Sequence, residues 1–343
     1  MEAFDKKFLI FLAAVGLLLQ PANGQKFSAI VSFGDSLSDL GNTFNDLGDE
    51  LSFFIIGYNS YYYDQGRWSD GPLWTEDLAR LFGFEALQPN DGTNLYGTDF
   101  AWGGATSGTD FTFVPPDFHL ANLQTQVASY IALLSTKDAR MPNPSETLYT
   151  VWSGGNDVIY RIQDYPFYTR VPAQEIANNV GDAITSLYNA GGRFFVVPNL
   201  PPLGEKPNYR NNKDHPEYRD EANDFVNEYN PLLQTKLAQL QGSLAGITIV
   251  LFDVHMLFNQ VLGDPNHYNL MNVKEAAFTS GILEPHGGSV VPNPDQYLFW
   301  DDTHPTRIGH GIVAEAVYDA LQSKLGPFLG VRAQAGRNIA NSR

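Results

Sequence analysis

The sequence predicts an α/β fold in which a mostly parallel sheet is covered by helices on both faces. Short runs rich in β-branched and aromatic residues alternate with longer amphipathic runs. The short runs are dense in Val, Ile, Phe and Tyr, as expected for strands buried on both faces. Alternation of strands and helices along a chain is typical of a parallel sheet between two helical layers.

Five segments are predicted strands on this composition, and the second of them is the weakest. In chain order they cover residues 27–33, 98–101, 147–153, 193–200 and 247–254. Each is short enough for a buried strand and is followed by glycine, proline or polar residues. The polar residues that end these strands become important for function below.

Helices are predicted between the strands from apolar residues at helical spacing. The first begins at Asp70, which can cap it. The next two carry apolar stripes over residues 176–187 and 225–240, and the second of these is expected to kink or restart at Pro231. The last helix begins after Thr306.

The composition is that of a folded protein with a large core. Of the 343 residues, 43% are hydrophobic, which excludes an intrinsically disordered chain. The net charge of −17 argues against nucleic acid and strongly anionic partners, because an acidic surface repels both. The absence of cysteine excludes disulfides, cysteine nucleophiles and thiolate metal sites. Residues 25–330 are predicted to form one domain, followed by a flexible tail over 331–343.

The first 24 residues are typical of a secretory signal peptide. Lys6 and Lys7 precede an apolar run over residues 8–19, and small residues up to Gly24 suit a cleavage site. The apolar run is short for a transmembrane helix, although a retained anchor is the alternative. We therefore expect a secreted, extracellular protein with no stable membrane anchor after cleavage.

The candidate site begins where the first predicted strand ends, since open α/β sheets bind ligands beyond the carboxyl ends of their strands. Gly34, Asp35 and Ser36 follow that strand. The glycine permits a sharp turn, and a following helix would direct its N-terminus at a group bound near Ser36. Ser36 is therefore a candidate nucleophile, and the alternative is that Asp35 or Ser36 only caps the helix.

Glycines and an amide follow the second and third predicted strands. Gly103 and Gly104 let a backbone N–H approach a ligand closely, so Gly104 could donate to an oxyanion. The Asn156 side chain, next to Gly154 and Gly155, could be a second donor. The alternatives are plain turns for the glycines and a left-handed turn residue for Asn156.

A candidate acid–base pair directly precedes the last predicted helix. Asp301 and His304 are three residues apart, so one tight loop can carry both. An imidazole can accept a serine proton near neutral pH, and a carboxylate can hold its tautomer. The alternative is a surface or capping histidine. The other histidines lack such a local partner, and His310 is the nearest rival: His119, His215, His255, His267, His286 and His310.

Taken in order, these four segments resemble the GDSL esterase/lipase family, also called SGNH hydrolases after four sequence blocks. The resemblance runs from residue 27 to about residue 325. The blocks read FGDSLSD with Ser36, WGGATSG with Gly104, GGND with Asn156, and DDTHP with Asp301 and His304.

The resemblance implies a flavodoxin-like three-layer α/β/α sandwich around a mostly parallel five-stranded sheet. It implies that Ser36 is the nucleophile, His304 the general base and Asp301 its orienting partner. Asp302 is a rival to Asp301, but only Asp301 has the family's spacing to the histidine. The resemblance calls for neither a metal nor a cofactor.

The resemblance also implies an oxyanion hole. Its donors are the backbone N–H groups of Ser36 and Gly104 and the side chain of Asn156. Gly103 is the alternative to Gly104, since the two positions differ by one residue.

The substrate is less well defined. The run GRWSDG over residues 66–71 and the tyrosine-rich insert at 58–63 resemble a larger extracellular branch that includes fungal acetylesterases and lecithinase- or hemolysin-like acylhydrolases. We expect short-chain, acetyl-type esters of carbohydrates, free or linked to a polysaccharide, because aromatic side chains near the site can stack on sugar rings. The same aromatics could be core residues. The alternatives are a lipase or phospholipase acting on longer acyl chains, and an acyltransferase.

Three further classes fit the sequence poorly. A binding module on an inactive hydrolase scaffold would normally have lost Ser36 or His304. A metallohydrolase would need clustered ligands, and the sequence contains no HExxH motif. An ordinary α/β-hydrolase would carry G-x-S-x-G, which is also absent.

Overall fold

The computed structural model describes residues 27–48, 59–90, 96–108, 120–164, 168–280 and 287–326. The predicted signal peptide and the predicted tail lie outside these residues. At the centre is a parallel sheet of four strands that are adjacent in chain order. They are β1 (Ala29–Gly34), β2 (Thr147–Trp152), β3 (Phe194–Pro198) and β4 (Thr248–Phe252).

The weak second strand is reduced to a single parallel bridge between Ser32 and Asp99. The backbone N–H of Ser32 donates to the carbonyl of Thr98, and the backbone carbonyl of Ser32 accepts from the N–H of Phe100, both at 2.8 Å. Because both groups of Ser32 point away from β2, residues 98–101 lie on the outer side of β1. The mostly parallel arrangement is confirmed. The predicted strand over residues 98–101 is reduced to this single bridge beside β1.

Helices cover both faces of the sheet. Residues 42–48 are also helical. The named helices are α1 (Trp74–Phe82), α2 (Leu123–Ser135), α3 (Gly155–Ile162), α4 (Ala173–Asn189), α5 (Pro207–Arg210), α6 (Glu217–Ser243), α7 (Val254–Gly263) and α8 (Arg307–Leu325).

Two apolar cores separate the three layers. One lies between the sheet and α2, α3, α4 and α6, and the other between the sheet and α1, α7 and α8. Successive β1 residues alternate between them: Ile30 belongs to the second core, and Val31 and Phe33 to the first. This alternation places buried side chains on both faces of the strand, as predicted from the apolar runs.

Two predicted helix features are wrong. The first helix begins at Trp74, capped by Leu73, whose N–H donates to the Glu76 carboxylate at 2.9 Å. Asp70 does not cap it, because its carboxylate instead accepts the N–H of Arg307 at 2.7 Å, at the start of α8. The helix containing Pro231 is continuous over its 27 residues and packs on α4, so the helix does not restart at the proline.

Two small strand pairs lie before α8 and were not predicted. β5 (Asn272–Ala276) pairs in parallel with β8 (Tyr297–Phe299), and β6 (Phe278–Ser280) pairs antiparallel with β7 (Gly288–Val290). Strands β5, β6 and β7 are short and largely exposed, so they lack the apolar density that marked the central strands, and β8 is apolar but only three residues long. The β8 strand leads directly into the segment that carries Asp301 and His304.

Candidate active site

Ser36 lies in a tight turn at the carboxyl end of β1. Gly34 has φ of +154°, and a Cβ there would collide with the carbonyl oxygen of Trp152. The chain then makes one helical turn, closed by hydrogen bonds of 2.9 and 3.0 Å to the carbonyl of Asp35. A buried side-chain amide fixes the start of this turn, since Gln126 accepts from the N–H of Gly34 at 2.9 Å and donates to its carbonyl at 2.8 Å.

The structure brings Ser36, His304 and Asp301 into one continuous hydrogen-bonded chain. The distance from Ser36 Oγ to His304 Nε2 is 2.9 Å, and that from His304 Nδ1 to Asp301 Oδ2 is 2.7 Å. Ser36 lies near the start of the sequence and His304 near its end, 268 residues later. The geometry of the hydrogen-bonded chain is that of a nucleophile, a base and an orienting carboxylate, in which the imidazole can accept a proton at Nε2 while donating one at Nδ1.

The Asp301 carboxylate is buried and fully engaged. Oδ1 accepts the backbone N–H groups of Thr303 and His304 at 2.7 and 2.6 Å, and Oδ2 accepts from the His304 ring and from the Tyr63 hydroxyl at 2.6 Å. Burial alone would raise the pKa of Asp301, but the charge of His304 and these hydrogen bonds outweigh it and hold the pKa below its usual value. The carboxylate therefore stays ionised beside the imidazole.

The rival carboxylate has a different hydrogen-bond partner. Asp302 accepts from the hydroxyl of Thr303 at 3.2 Å and lies in the field of the buried Lys206. Burial and the adjacent Asp301 raise the pKa of Asp302. Among the described residues, it is Asp301 that pairs with the His304 ring.

The rival histidine is a core residue. His310 lies in α8, 1% exposed, and burial lowers its pKa to about 3. Its Nε2 atom has no hydrogen-bond partner in the described part of the chain. A neutral, buried imidazole without contact to Ser36 does not compete with His304, whereas His119 and His286 lie outside the described residues.

The two glycines of the WGGATSG block differ in what their N–H groups do. The N–H of Gly103 donates to Asp39 and to the hydroxyl of Thr43, both at 2.8 Å. Gly104 has φ of +80°, and its carbonyl accepts from the hydroxyl of Tyr160 at 3.0 Å. Within the described residues nothing accepts the N–H of Gly104, so this group is the one available to a ligand.

Asn156 lies in the first turn of α3, after a glycine with φ of +113° at Gly154. Its Nδ2 donates to the carbonyl of Ala105 at 3.0 Å, which fixes the side chain toward the WGGATSG block. A primary amide has two N–H groups, so one remains for a ligand in the pocket that Asn156 lines together with Ser36 and Gly104.

Comparison with known proteins agrees with this arrangement. The profile of the GDSL-like lipase/acylhydrolase family matches residues 30–317. The chain belongs to that family. This assignment makes it a GDSL esterase/lipase, whose reaction class is carboxylic ester hydrolysis, and the resemblance noted from the four blocks is confirmed.

Relatives of this hydrolase span nearly the whole chain. A GDSL esterase/lipase of Arabidopsis thaliana is 27% identical over 92% of this chain and 92% of its own length. A phosphatidylcholine-sterol acyltransferase of Aeromonas hydrophila is 26% identical over 93% of this chain and 98% of its own. Among solved structures, an acetylxylan esterase from Geobacillus stearothermophilus covers 90% of this chain and 98% of its own at 14% identity and a TM-score of 0.45.

A pocket of about 320 Å³ opens beside the hydroxyl of Ser36 in this family member. Its polar groups come from the four blocks and, in another part of the lining, from Gln163, Glu205, Lys206 and Asn208. Most of the remaining lining is apolar. It includes Leu37, Leu120, Ile159, Leu203, Phe258 and Phe299.

Two buried carboxyl groups lie next to this pocket. Burial raises the pKa of Asp35 to about 7, opposed by the N–H of Leu37, which donates to it at 3.1 Å. Burial raises the pKa of Asp157 to about 6, opposed by hydrogen bonds from Ser107 and Tyr168. These groups titrate near neutral pH without belonging to the hydrogen-bonded chain of Ser36.

The structure shows contacts at the site that the sequence did not predict. The Tyr63 hydroxyl reaches Asp301, the Trp68 ring lies 5.2 Å from the His304 ring between centroids, and Gln126 holds the end of β1. The tyrosine cluster at 58–63 signalled an aromatic surface but not a contact with the carboxylate. Tyr58 lies outside the described residues.

The described residues include no group of three or more His, Asp or Glu side chains placed to hold a metal ion. None of their helices is long and apolar enough to cross a bilayer.

Proposed function

We propose that the chain hydrolyses carboxylic esters through an acyl-enzyme formed on Ser36. The observation that carries this proposal is the continuous hydrogen-bonded chain from Asp301 through His304 to Ser36. The Ser36 oxygen forms a bond to the ester carbonyl carbon while its proton moves to His304 Nε2. The C–O bond to the alcohol then breaks, the alcohol leaves with that proton, and water releases the acid by the same steps.

The proposed oxyanion hole combines the N–H groups of Ser36 and Gly104 with the amide of Asn156. Support comes from the engagement of the Gly103 N–H elsewhere, which leaves Gly104 as the donor. Donors fixed before the reaction stabilise the charge that develops on the carbonyl oxygen without further rearrangement.

We propose that the acyl group is longer than acetyl. Short-chain esters of carbohydrates were the sequence-based expectation. Of the aromatics on which it depended, Trp68 and Trp152 line the pocket, but both are buried and Trp152 donates to the carbonyl of Asn199 at 3.1 Å. The pocket volume of about 320 Å³ is more than an acetyl group needs. The apolar lining of the pocket supports the lipase-type alternative. The Aeromonas relative, named as a phosphatidylcholine-sterol acyltransferase, supports it as well.

A chain-length series of p-nitrophenyl esters tests the substrate. Each buried methylene is worth about 0.8 kcal/mol, so kcat/KM should rise about fourfold per methylene from acetate until the pocket is full. Ile159→Trp narrows the pocket and should reduce activity on octanoate while sparing acetate. Wild-type preference for acetate would return the assignment to short-chain esters.

Ser36→Ala tests the mechanism itself. It should abolish turnover of every ester in the series. Urea unfolding should stay that of the wild type, because the hydroxyl makes a single, partly buried hydrogen bond, to His304. Retained turnover would reject Ser36 as nucleophile. Measuring free acid against ester formed with added alcohol separates hydrolysis from acyl transfer.

We also propose that the protein is secreted. The basic residues and the apolar run at the N-terminus support this. N-terminal sequencing of protein from the culture medium should begin close to residue 25, and an intact N-terminus in the cell pellet would contradict it.

A further inference from the structure

The hydroxyl of Tyr63 is bonded to the same carboxylate oxygen that orients His304. It donates to Asp301 Oδ2 at 2.6 Å, and the His304 ring reaches that oxygen at 2.7 Å. Tyr63 precedes Asp301 by 238 residues, so the contact is made by tertiary structure alone. An ionised carboxylate only accepts hydrogen bonds, so the tyrosine is the donor.

Aromatic neighbours hold the Tyr63 ring in place. Its centroid lies 5.7 Å from that of Phe278, 6.3 Å from Trp68 and 6.4 Å from Trp300, in each case close to edge-on. Tyr63 is 8% exposed. Such packing restricts the ring to one orientation, so the hydroxyl meets Asp301 without loss of side-chain freedom on substrate binding.

The segment that follows Tyr63 makes hydrogen bonds to the residues just after His304. The hydroxyl of Ser69 donates to the carbonyl of Pro305 at 2.9 Å, and Asp70 accepts the N–H of Arg307 at 2.7 Å. Segment 63–70 therefore contacts the loop before and after His304. The Tyr63 bond is the one contact among these that acts directly on the charge of Asp301.

We propose that Tyr63 is a positioning residue that fixes the orientation and the charge of Asp301 for the His304 base. The proposal rests on the function proposed for Ser36. The phenol draws charge from Oδ2, so the carboxylate attracts a proton on the imidazole less strongly than it would without this bond. Four other ionisable groups act on this pair and stay in place when the phenol is removed: Asp35, Asp302, Lys206 and His310.

Tyr63→Phe, which removes only the hydroxyl, tests this role. We expect kcat on p-nitrophenyl butyrate to fall about tenfold or more, the usual scale for one hydrogen bond to a charged group, with little change in KM. The acidic limb of the kcat/KM profile should move to higher pH. Tyr62→Phe is the matched control, because that hydroxyl donates to the carbonyl of Gly288 at 3.1 Å and should leave both readouts unchanged.

A double-mutant cycle separates positioning from general loss of structure. In an Asp301→Asn background, Tyr63→Phe should cause little further loss of kcat, because its effect passes through the carboxylate. Full additivity, or a single variant with wild-type kcat and an unmoved acidic limb, would overturn the proposal. Ser36→Ala is assayed in parallel: if that variant remains active the proposed function fails, whereas an inactive Ser36→Ala beside an unaffected Tyr63→Phe rejects the Tyr63 role alone.

Discussion

Replacing Asp35 with asparagine should stabilise the protein, and more so at alkaline pH. The carboxyl is 4% exposed, and burial raises its pKa from 3.8 to about 7. A carboxyl whose folded pKa is raised binds its proton more tightly in the folded state. Its contribution to the free energy of unfolding is therefore present below the unfolded pKa and is lost as pH rises from about 4 to about 7.

The magnitude follows from the difference between the two pKa values. About 3 pKa units correspond to a penalty of about 4 kcal/mol once both states are ionised, at pH 8. At pH 5 the folded group is still protonated, and the penalty is under about 2 kcal/mol. Asparagine does not ionise and retains an oxygen for the N–H of Leu37. The variant should therefore gain about 2 kcal/mol more at pH 8 than at pH 5.

Urea unfolding at pH 5 and pH 8 measures both values. Asp214→Asn, at an exposed position, is the control and should shift the unfolding free energy equally at the two pH values. An equal gain at both pH values for Asp35→Asn, or a loss that grows toward pH 8, would refute burial as the source of the raised pKa. The comparison requires an unchanged m-value, since a changed one would indicate a different unfolding reaction.

Two further substitutions probe the site and its support. Asn156→Ala should lower kcat by about 100-fold or more with a small change in KM, because an oxyanion donor acts mainly in the transition state; a raised KM with unchanged kcat would assign it to substrate binding. Gln126→Leu leaves the buried N–H of Gly34 unpaired, while the Gly34 carbonyl keeps the N–H of Trp102 at 3.2 Å, and should cost about 1–3 kcal/mol in the free energy of unfolding, measured in urea. A Gln126→Leu protein as stable as the wild type would show that the hydrogen bonds from Gln126 do not stabilise the end of β1.

The parts of the site that the sequence predicted are those that depend on local order. Ser36, Gly104, Asn156 and the loop with Asp301 each follow a strand, and strands buried on both faces are recognisable from composition. The carboxyl ends of parallel strands meet at one edge, so the predicted order along the chain sufficed to bring these groups together.

The parts that could not be predicted depend on distant contacts. Asp70 has the residue type and spacing of a helix cap, but its carboxylate binds the N–H of Arg307, 237 residues away. Tyr63 was one of several neighbouring tyrosines, and nothing local distinguished it from Tyr62. Strands β5 to β7 are short and largely exposed, so no apolar pattern marked them, and β8 is apolar but only three residues long.

The separation of Ser36 from His304 has a consequence for biosynthesis. The two side chains are 268 residues apart, and His304 directly precedes α8, which packs on α1. A growing chain emerges from the ribosome N-terminus first, so its serine is exposed long before the imidazole exists. If His304 is the base proposed above, the chain should be inactive throughout synthesis and should gain activity only once the segment before α8 has folded against Ser36. Chains terminated early should accumulate without esterase activity.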